Sequence, residues 1–307
     1  MTTLRHFLAD TDLNAKEQAL ILERAIAMKA KPRDFHNALA GKVLAMIFQK
    51  SSTRTRASFE AGMVQLGGHA IFLSPRDIQM GRGEPVSDTG AVLSRYCDAI
   101  MIRTFAHQEV TTLAEYSRVP VINGLDDLLH PCQALADLQL LREERGTTEG
   151  QQLVFVGDGN NVAHSLMLAG ALAGTHVRII CPQGYEPKAN ILREAQTLAN
   201  AKSAHIEVTN DLAGVEGADA VYTDVWASMG QEEQAAERLA VFKPYSVTNK
   251  LMARAKPHAI FMHCLPAHRG EEVEAAVIDG PQSRIFEQAE NRLHAQKALL
   301  TFLVNRE

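Results

Sequence analysis

The chain has 307 residues, 46% hydrophobic and 22% charged, with a net charge of −5. That length predicts two domains, each with a sizeable core. The acidic balance without a basic block argues against a nucleic-acid or anionic-membrane partner. No apolar stretch reaches the ~18–20 residues that cross a bilayer, and the first seven residues lack the apolar core of a signal peptide. Cys97, Cys132, Cys181 and Cys264 are too widely spaced for a zinc motif or a disulfide framework, so reduced thiols in the cytoplasm are expected.

Short apolar runs alternate with helical patterns, which predicts βαβ units and parallel sheets. The first predicted strand, Lys42–Gln49, runs into Ser51-Ser52-Thr53-Arg54-Thr55-Arg56, with a helix over Arg56–Leu66. Four hydroxyls and two guanidiniums at the junction of a strand and a helix suit a doubly charged anion. A helix start offers free N–H groups and the positive end of a dipole, and arginine adds a planar fork for phosphate oxygens. The bland alternative is a capped helix with solvated arginines.

Predicted strands follow at Ala70–Leu73, Ala99–Arg103 and Val119–Asn123, with a helix over Val86–Tyr96. Arg103-Thr104 puts another guanidinium and hydroxyl at a strand end. His130-Pro131-Cys132-Gln133 opens a long helix, Pro131–Arg145, with proline suited to the first turn. There His130 and Gln133 can donate to a carbonyl oxygen. The polar stretch 142–150, with two glycines, marks a break between a four-strand set and a five-strand set.

The second set is Gln152–Gly157, His176–Cys181, His205–Thr209, Ala220–Asp224 and Ala259–Cys264, with helices over Val162–Ala173 and Ala189–Asn200. Gly157-Asp158-Gly159 resembles the start of a dinucleotide fingerprint. However, Val162 stands where a third small residue belongs, and no acidic residue ends the next strand, which disfavours a NAD-dependent dehydrogenase. Asn161 at the helix start could grip a small polar ligand. Asp224, followed by Trp226 and Ser228-Met229-Gly230, could take an ammonium group beneath a glycine-containing loop. Cys264, beside His263 at a strand end, is more suggestive than a buried packing cysteine. His130, His263 and His268 lack metal-ligand spacing, so no metal is expected. A final helix over Glu287–Val304 has no strand after it.

In open parallel sheets, ligands bind beyond the carboxyl ends of the strands, and these polar and basic motifs all follow strands. Together Ser52-Thr53-Arg54-Thr55-Arg56, Arg103-Thr104, His130-Pro131-Cys132-Gln133, Asp224-x-x-x-Ser228-Met229-Gly230 and His263-Cys264-Leu265-Pro266 resemble the aspartate/ornithine carbamoyltransferase family. The likeness runs from Arg5-His6-Phe7-Leu8 to Glu290-Asn291-Arg292, and the last two motifs mark its ornithine branch.

The resemblance implies an α/β fold of two domains, each a parallel sheet flanked by helices, with the C-terminal helix packing back on the first. A carbamoyl phosphate-binding domain would span 1–135 plus 288–307, and an ornithine-binding domain 136–287. Ser52, Thr53, Arg54 and Thr55 would hold the phosphate, helped by Arg103, while His130 and Gln133 would contact the carbamoyl group. Gln79 would reach into a neighbouring subunit's site in a homotrimer. Asn161, Asp224, Ser228 and Met229 would bind ornithine, and Cys264, Leu265 and Arg292 would complete the site. The implied catalytic group is Arg54, Arg103, His130, Gln133 and Cys264, with no cofactor. The implied reaction moves the carbamoyl group of carbamoyl phosphate to the δ-amine of ornithine. The competing readings are the same transfer to putrescine, aspartate or N-acetylornithine, and a non-catalytic protein that keeps the fold. Met80 departs from the leucine more common in its loop.

Overall fold

A computed structural model describes residues 4–74, 76, 78–80, 82–227 and 235–306. The chain divides into two compact units, Met1–Gln139 with Glu290–Glu307, and Leu140–Ala289.

The first unit begins with α1 (Ala15–Ala30), then β1 (Val43–Phe48), α2 (Thr53–Gln65), β2 (His69–Leu73), α3 (Val86–Leu93), β3 (Ala99–Arg103), α4 (His107–Glu115) and β4 (Val121–Leu125). Its four strands are parallel in the order β2-β1-β3-β4. β3 is buried along its whole length and β1 nearly so, as expected of central strands covered on both faces. Ala45, Ile47, Ile100, Ile102 and Val121 pack against Val110 and Leu113 of α4. Each buried Val, Ile or Leu among them contributes about 1.5–3 kcal/mol. The edge strand β4 is capped by Phe7, which gives its N–H to Val121 O (2.8 Å) and takes that of Asn123 (2.8 Å).

α5 (Pro131–Arg145) carries the chain from the first unit into the second, because the boundary at 139/140 falls inside it. The break expected at 142–150 therefore follows the crossing. The second unit contains β5 (Gln152–Val156), α6 (Asn161–Ala173), β6 (His176–Ile180), α7 (Ala189–Asn200), β7 (Ile206–Thr209), β8 (Ala220–Thr223), α8 (Ala235–Phe242), α9 (Asn249–Met252), β9 (Ile260–His263) and α10 (Ala275–Ile278). Its five strands are parallel in the order β7-β6-β5-β8-β9. Val154, Val156, Val221 and Phe261 form its core with Val247, Leu251 and Val273. α11 (Ile285–Val304) begins in the second unit and ends in the first. There the Lys297 ammonium donates to Gln65 Oε1 at 2.9 Å, so the C-terminal helix packs on the first unit.

Both sheets have a switch point where the strand order reverses, between β1 and β3 in one and between β5 and β8 in the other. A crevice opens outside the carboxyl ends of such strand pairs. Ser52–Thr55, Arg103, Asn160–Asn161 and Asp224 lie at or just beyond the carboxyl ends of these four strands. Among the described residues, no helix is long and apolar enough to cross a membrane.

Candidate active site

In the first unit, α2 starts three residues earlier than the sequence pattern predicts, because Ser52 caps it. Its hydroxyl oxygen accepts the N–H of Thr55 at 3.2 Å. Thr53, Arg54 and Thr55 are thus the first helical turn, where backbone N–H groups lack partners within the helix. Thr53 is exposed, Ser52 and Arg54 are half-buried, and Thr55 is buried. A cavity of about 510 Å³ opens beside this turn, lined by Phe48, Ser51, Ser52, Thr53, Arg56 and Phe72 among others.

Arg103 lies beside Phe48 in the sheet register, and its carbonyl accepts the N–H of Gln49 at 2.8 Å. Its pairing with β4 shifts register at Ile102/Arg103, and the side chain is buried.

His130, just before α5, is also buried. Burial pushes its imidazole well below the ordinary value, and the charges of Arg292, Arg103 and Arg54 push the same way. The ring is therefore neutral at pH 7, with one nitrogen as donor and the other as acceptor.

Gln133, one turn into α5, gives an amide hydrogen to Asp137 Oδ1 at 2.8 Å and receives Arg292 Nη1 on its carbonyl at 2.8 Å. The buried Arg292 also donates to Thr55 Oγ1 (3.3 Å) and, through Nε and Nη2, to Gln296 Oε1 (3.1 and 2.9 Å). One guanidinium thereby joins α2, α5 and α11. Burial holds the neighbouring Cys132 thiol protonated, with its pKa raised to about 12, and the thiol donates to Asn123 O at 3.4 Å. Gln79 is exposed, beside the buried Met80.

In the second unit, Asn160 caps α6, accepting the N–H groups of Val162 (2.9 Å) and Ala163 (3.1 Å). Its Nδ2 donates to Asp224 Oδ2 at 3.0 Å, and the Cys264 thiol donates to Asp224 Oδ1 at 3.0 Å. Asn161 is half-buried as the first residue of α6. Each Asp224 oxygen keeps a second lone pair for a cationic group. Ser228, Met229 and Gly230 lie outside the described residues.

His263 is fixed at both ring nitrogens. Nδ1 accepts the N–H of Leu265 (2.9 Å), so Nε2 carries the hydrogen and faces Glu272 Oε1 at 3.2 Å. Leu265 has φ +60° and precedes a cis Leu265-Pro266 bond. Glu272 is buried and also takes the N–H of His268 at 2.6 Å. Asp224, His263 and Cys264 offer ligand atoms within 4.8 Å of one another. Since both His263 nitrogens already bond to protein groups, the cluster reads as a hydrogen-bond network.

Asp158 pairs with Arg238, whose Nε donates to Trp226 O. Burial first, and then the charge of Asp224, push Asp158 up to about 6 against the pull of Arg238. Sequence reasoning passed over Asn160, Arg238 and Glu272, whose only signals were a doubled asparagine at a helix start and isolated charges. Gly159 has a packing reason: a Cβ there would meet Pro187 N at 2.2 Å and Glu186 C at 2.5 Å. A pyrophosphate has no room at that backbone.

The first unit thus gathers basic and hydroxyl-bearing side chains that suit a phosphorylated group, and the second a carboxylate and thiol that suit a cationic one, the combination expected of a two-substrate transferase. Family models described as "Aspartate/ornithine carbamoyltransferase, carbamoyl-P binding domain" and "Asp/Orn binding domain" match residues 5–143 and 149–303. The chain is 55% identical over 303 residues to an ornithine carbamoyltransferase of Anoxybacillus flavithermus, covering 98% of this chain and 96% of that protein. It is 54% identical over 307 residues to that of a Parafrankia species, covering 99% and 97%. The solved structure of the ornithine carbamoyltransferase from Pyrococcus furiosus superposes with a TM-score of 0.95 at 52% identity, over 98% of this chain and 97% of that one. The chain belongs to the aspartate/ornithine carbamoyltransferase family.

Proposed function

We propose that the chain transfers the carbamoyl group of carbamoyl phosphate to the δ-amine of L-ornithine, giving L-citrulline and phosphate in arginine biosynthesis. The observation that carries this reading is the buried neutral His130 within the field of Arg54, Arg103 and Arg292. Cationic groups flank the phosphate while an uncharged donor faces the carbonyl.

In this scheme the α2 turn and Ser52, Thr53, Arg54 and Thr55 grip the phosphate, with Arg103 beside it. His130 and a Gln133 amide hydrogen polarise the carbamoyl oxygen, and Arg292 braces Gln133 and Thr55. Asp224 receives the α-ammonium of ornithine, with Asn161, Ser228 and Met229 around it. Cys264 and Leu265 direct the reacting amine. The neutral δ-amine attacks the carbamoyl carbon, a C–N bond forms, the C–O bond to phosphate breaks, and the leaving phosphate takes the amine proton.

Freeing an amine of pKa ~10.4 at pH 7 costs roughly 4.6 kcal/mol. Orienting two bound reactants supplies ~7–11 kcal/mol, and the guanidiniums stabilise the departing charge. Together they suffice without a covalent intermediate.

The first unit acts as the carbamoyl phosphate-binding domain and the second as the ornithine-binding domain. The enzyme works in the cytoplasm as a homotrimer in which the exposed Gln79 reaches a neighbouring subunit's site. The four free cysteines, Cys97, Cys132, Cys181 and Cys264, suit a reducing compartment.

The test is citrulline formation by purified protein with carbamoyl phosphate and, in parallel, ornithine, putrescine, N-acetylornithine and aspartate. Strong preference for ornithine is expected. Preference for another amine would discard the reading of Asp224, and inactivity with all four would discard the transfer itself.

A further inference from the structure

Asp126 is fully buried four residues before His130, and the mechanism above gives it no task. Its Oδ1 accepts the N–H groups of Leu128 (2.7 Å) and Leu129 (2.8 Å), and its own N–H donates to Leu129 O at 3.0 Å. Its Oδ2 accepts Asn123 Nδ2 at 2.9 Å and faces His107 Nδ1 at 2.7 Å. A carboxylate only accepts, so that ring nitrogen carries the hydrogen. A buried carboxylate requires such donors, and here they come from three segments.

His107 opens α4, four residues after Arg103, so the bond ties the exit of β3 to the turn that delivers His130. Two backbone bonds zip the same exits together: Thr104 N–H to Leu125 O (3.0 Å) and Asp127 N–H to Phe105 O (2.8 Å). The exit of β1 joins them through Lys50, which is buried, pairs with Asp127 and sits 4.3 Å from the centre of the Phe105 ring.

We propose that Asp126, held by His107, is a positioning residue that sets His130 in register with Arg103 and the phosphate-gripping turn. The inference rests on the reading of His130 as the carbamoyl contact. Losing the His107 donor leaves Oδ2 one bond short and unties the 126–129 turn from the start of α4. The consequence falls on carbamoyl phosphate, not on the amine substrate.

Three variants test this in the full chain. His107→Leu removes the donor. His107→Asn keeps one, because an asparagine amide nitrogen occupies nearly the place of Nδ1. Asp126→Asn keeps one acceptor and sets amide hydrogens against facing donors. The readouts are kcat, both KM values, and calorimetric binding of carbamoyl phosphate without an amine. His107→Leu and Asp126→Asn are each expected to raise the carbamoyl phosphate KM on the order of tenfold, the scale of one hydrogen bond to a charged buried group. The ornithine KM should stay within about twofold, and His107→Asn within about threefold of the parent for carbamoyl phosphate.

An unchanged carbamoyl phosphate KM in His107→Leu, or an Asn variant as weak as the Leu variant, would overturn the proposal. If the parent binds carbamoyl phosphate but makes no citrulline, the proposed transfer fails, while calorimetry across the variants still decides the role of Asp126.

Discussion

Cys264 donates its thiol hydrogen to Asp224 Oδ1 across 3.0 Å, while Asn160 donates to Oδ2 of the same carboxylate, also at 3.0 Å. Residues from the ends of β5, β8 and β9 thus fix one acidic group from both sides. Cys264→Ala removes one of the two donors to Asp224, together with the sulfur atom. We expect kcat/KM for ornithine to fall roughly 10–100-fold, the size of one lost bond to a charged group, with the carbamoyl phosphate KM little changed. Cys264→Ser keeps a donor and should recover part of the loss. Steady-state citrulline assays over both substrates check this, and unaltered ornithine kinetics in the alanine variant would remove Cys264 from the mechanism.

Arg292 is buried and spends its donors on Gln133, Thr55 and Gln296. Arg292→Met takes away the guanidinium and strands those three acceptors, each costing about 1–3 kcal/mol unless it finds a new partner. Urea denaturation should show a loss of several kcal/mol, and the carbamoyl phosphate KM should rise because Gln133 and Thr55 lose their brace. A variant as stable as the parent would mean that α2, α5 and α11 are held by packing alone.

How much of this was legible in the sequence depends on how local each signal is. The Ser52–Arg56 cluster, Arg103 and His130–Gln133 stand at strand ends, and a strand end followed by a helix is visible in a short window. The capping role of Ser52 moved the start of α2 from Arg56 back to Thr53. β4 lies two residues beyond its predicted span of Val119–Asn123, because Pro120 has no N–H for the ladder. α1 was missed although Asn14 and Glu17 form a capping box at its start. Other features depend on partners brought close only by folding. Glu272 meets His263 nine positions away, Asn160 meets Asp224 across 64 positions, and Asp126 meets His107 across 19. No short window contains both members of such a pair, so their chemistry reads as solvated charge until the sheets are assembled. Gly159 looked like a nucleotide signal and proved to be a close approach by Pro187.

Ser52 has two separable tasks. Its side chain caps α2, and the proposed mechanism also gives it the phosphate. Ser52→Ala should cost about 1 kcal/mol of stability through the cap and, separately, raise the carbamoyl phosphate KM. Ser52→Asp keeps a capping acceptor, so its stability should match the parent, but its charge repels phosphate and its carbamoyl phosphate KM should exceed that of the alanine variant. Thermal melts without substrate and initial rates with it distinguish the two tasks. Equal carbamoyl phosphate KM values in both variants would confine Ser52 to the cap.

The depressed His130 pKa makes stability depend on pH with a definite sign. Burial, followed by Arg292, Arg103 and Arg54, keeps the folded imidazole neutral well below its ordinary value, whereas the unfolded chain takes up that proton near pH 6.5. Between the folded and unfolded values the unfolded state holds one more proton, so stability rises with pH. The contribution is complete above about pH 6.5 and is lost as pH falls below it, at roughly 1.4 kcal/mol per pH unit for one proton. His6, His176 and His294 are lowered as well, with burial the first cause for each, so the decisive quantity is a difference between proteins. Urea titrations of the parent and of His130→Asn at pH 7.5 and 5.5 provide it. The parent should lose about 1 kcal/mol more than the variant over that interval, because only the parent carries this proton in its unfolded state. Equal losses would mean that His130 is charged in the folded protein. A charged imidazole would make His130 a further cation beside Arg54 and Arg103 for the phosphate, and the neutral carbonyl contact on which the proposed transfer depends would have to come from Gln133 alone.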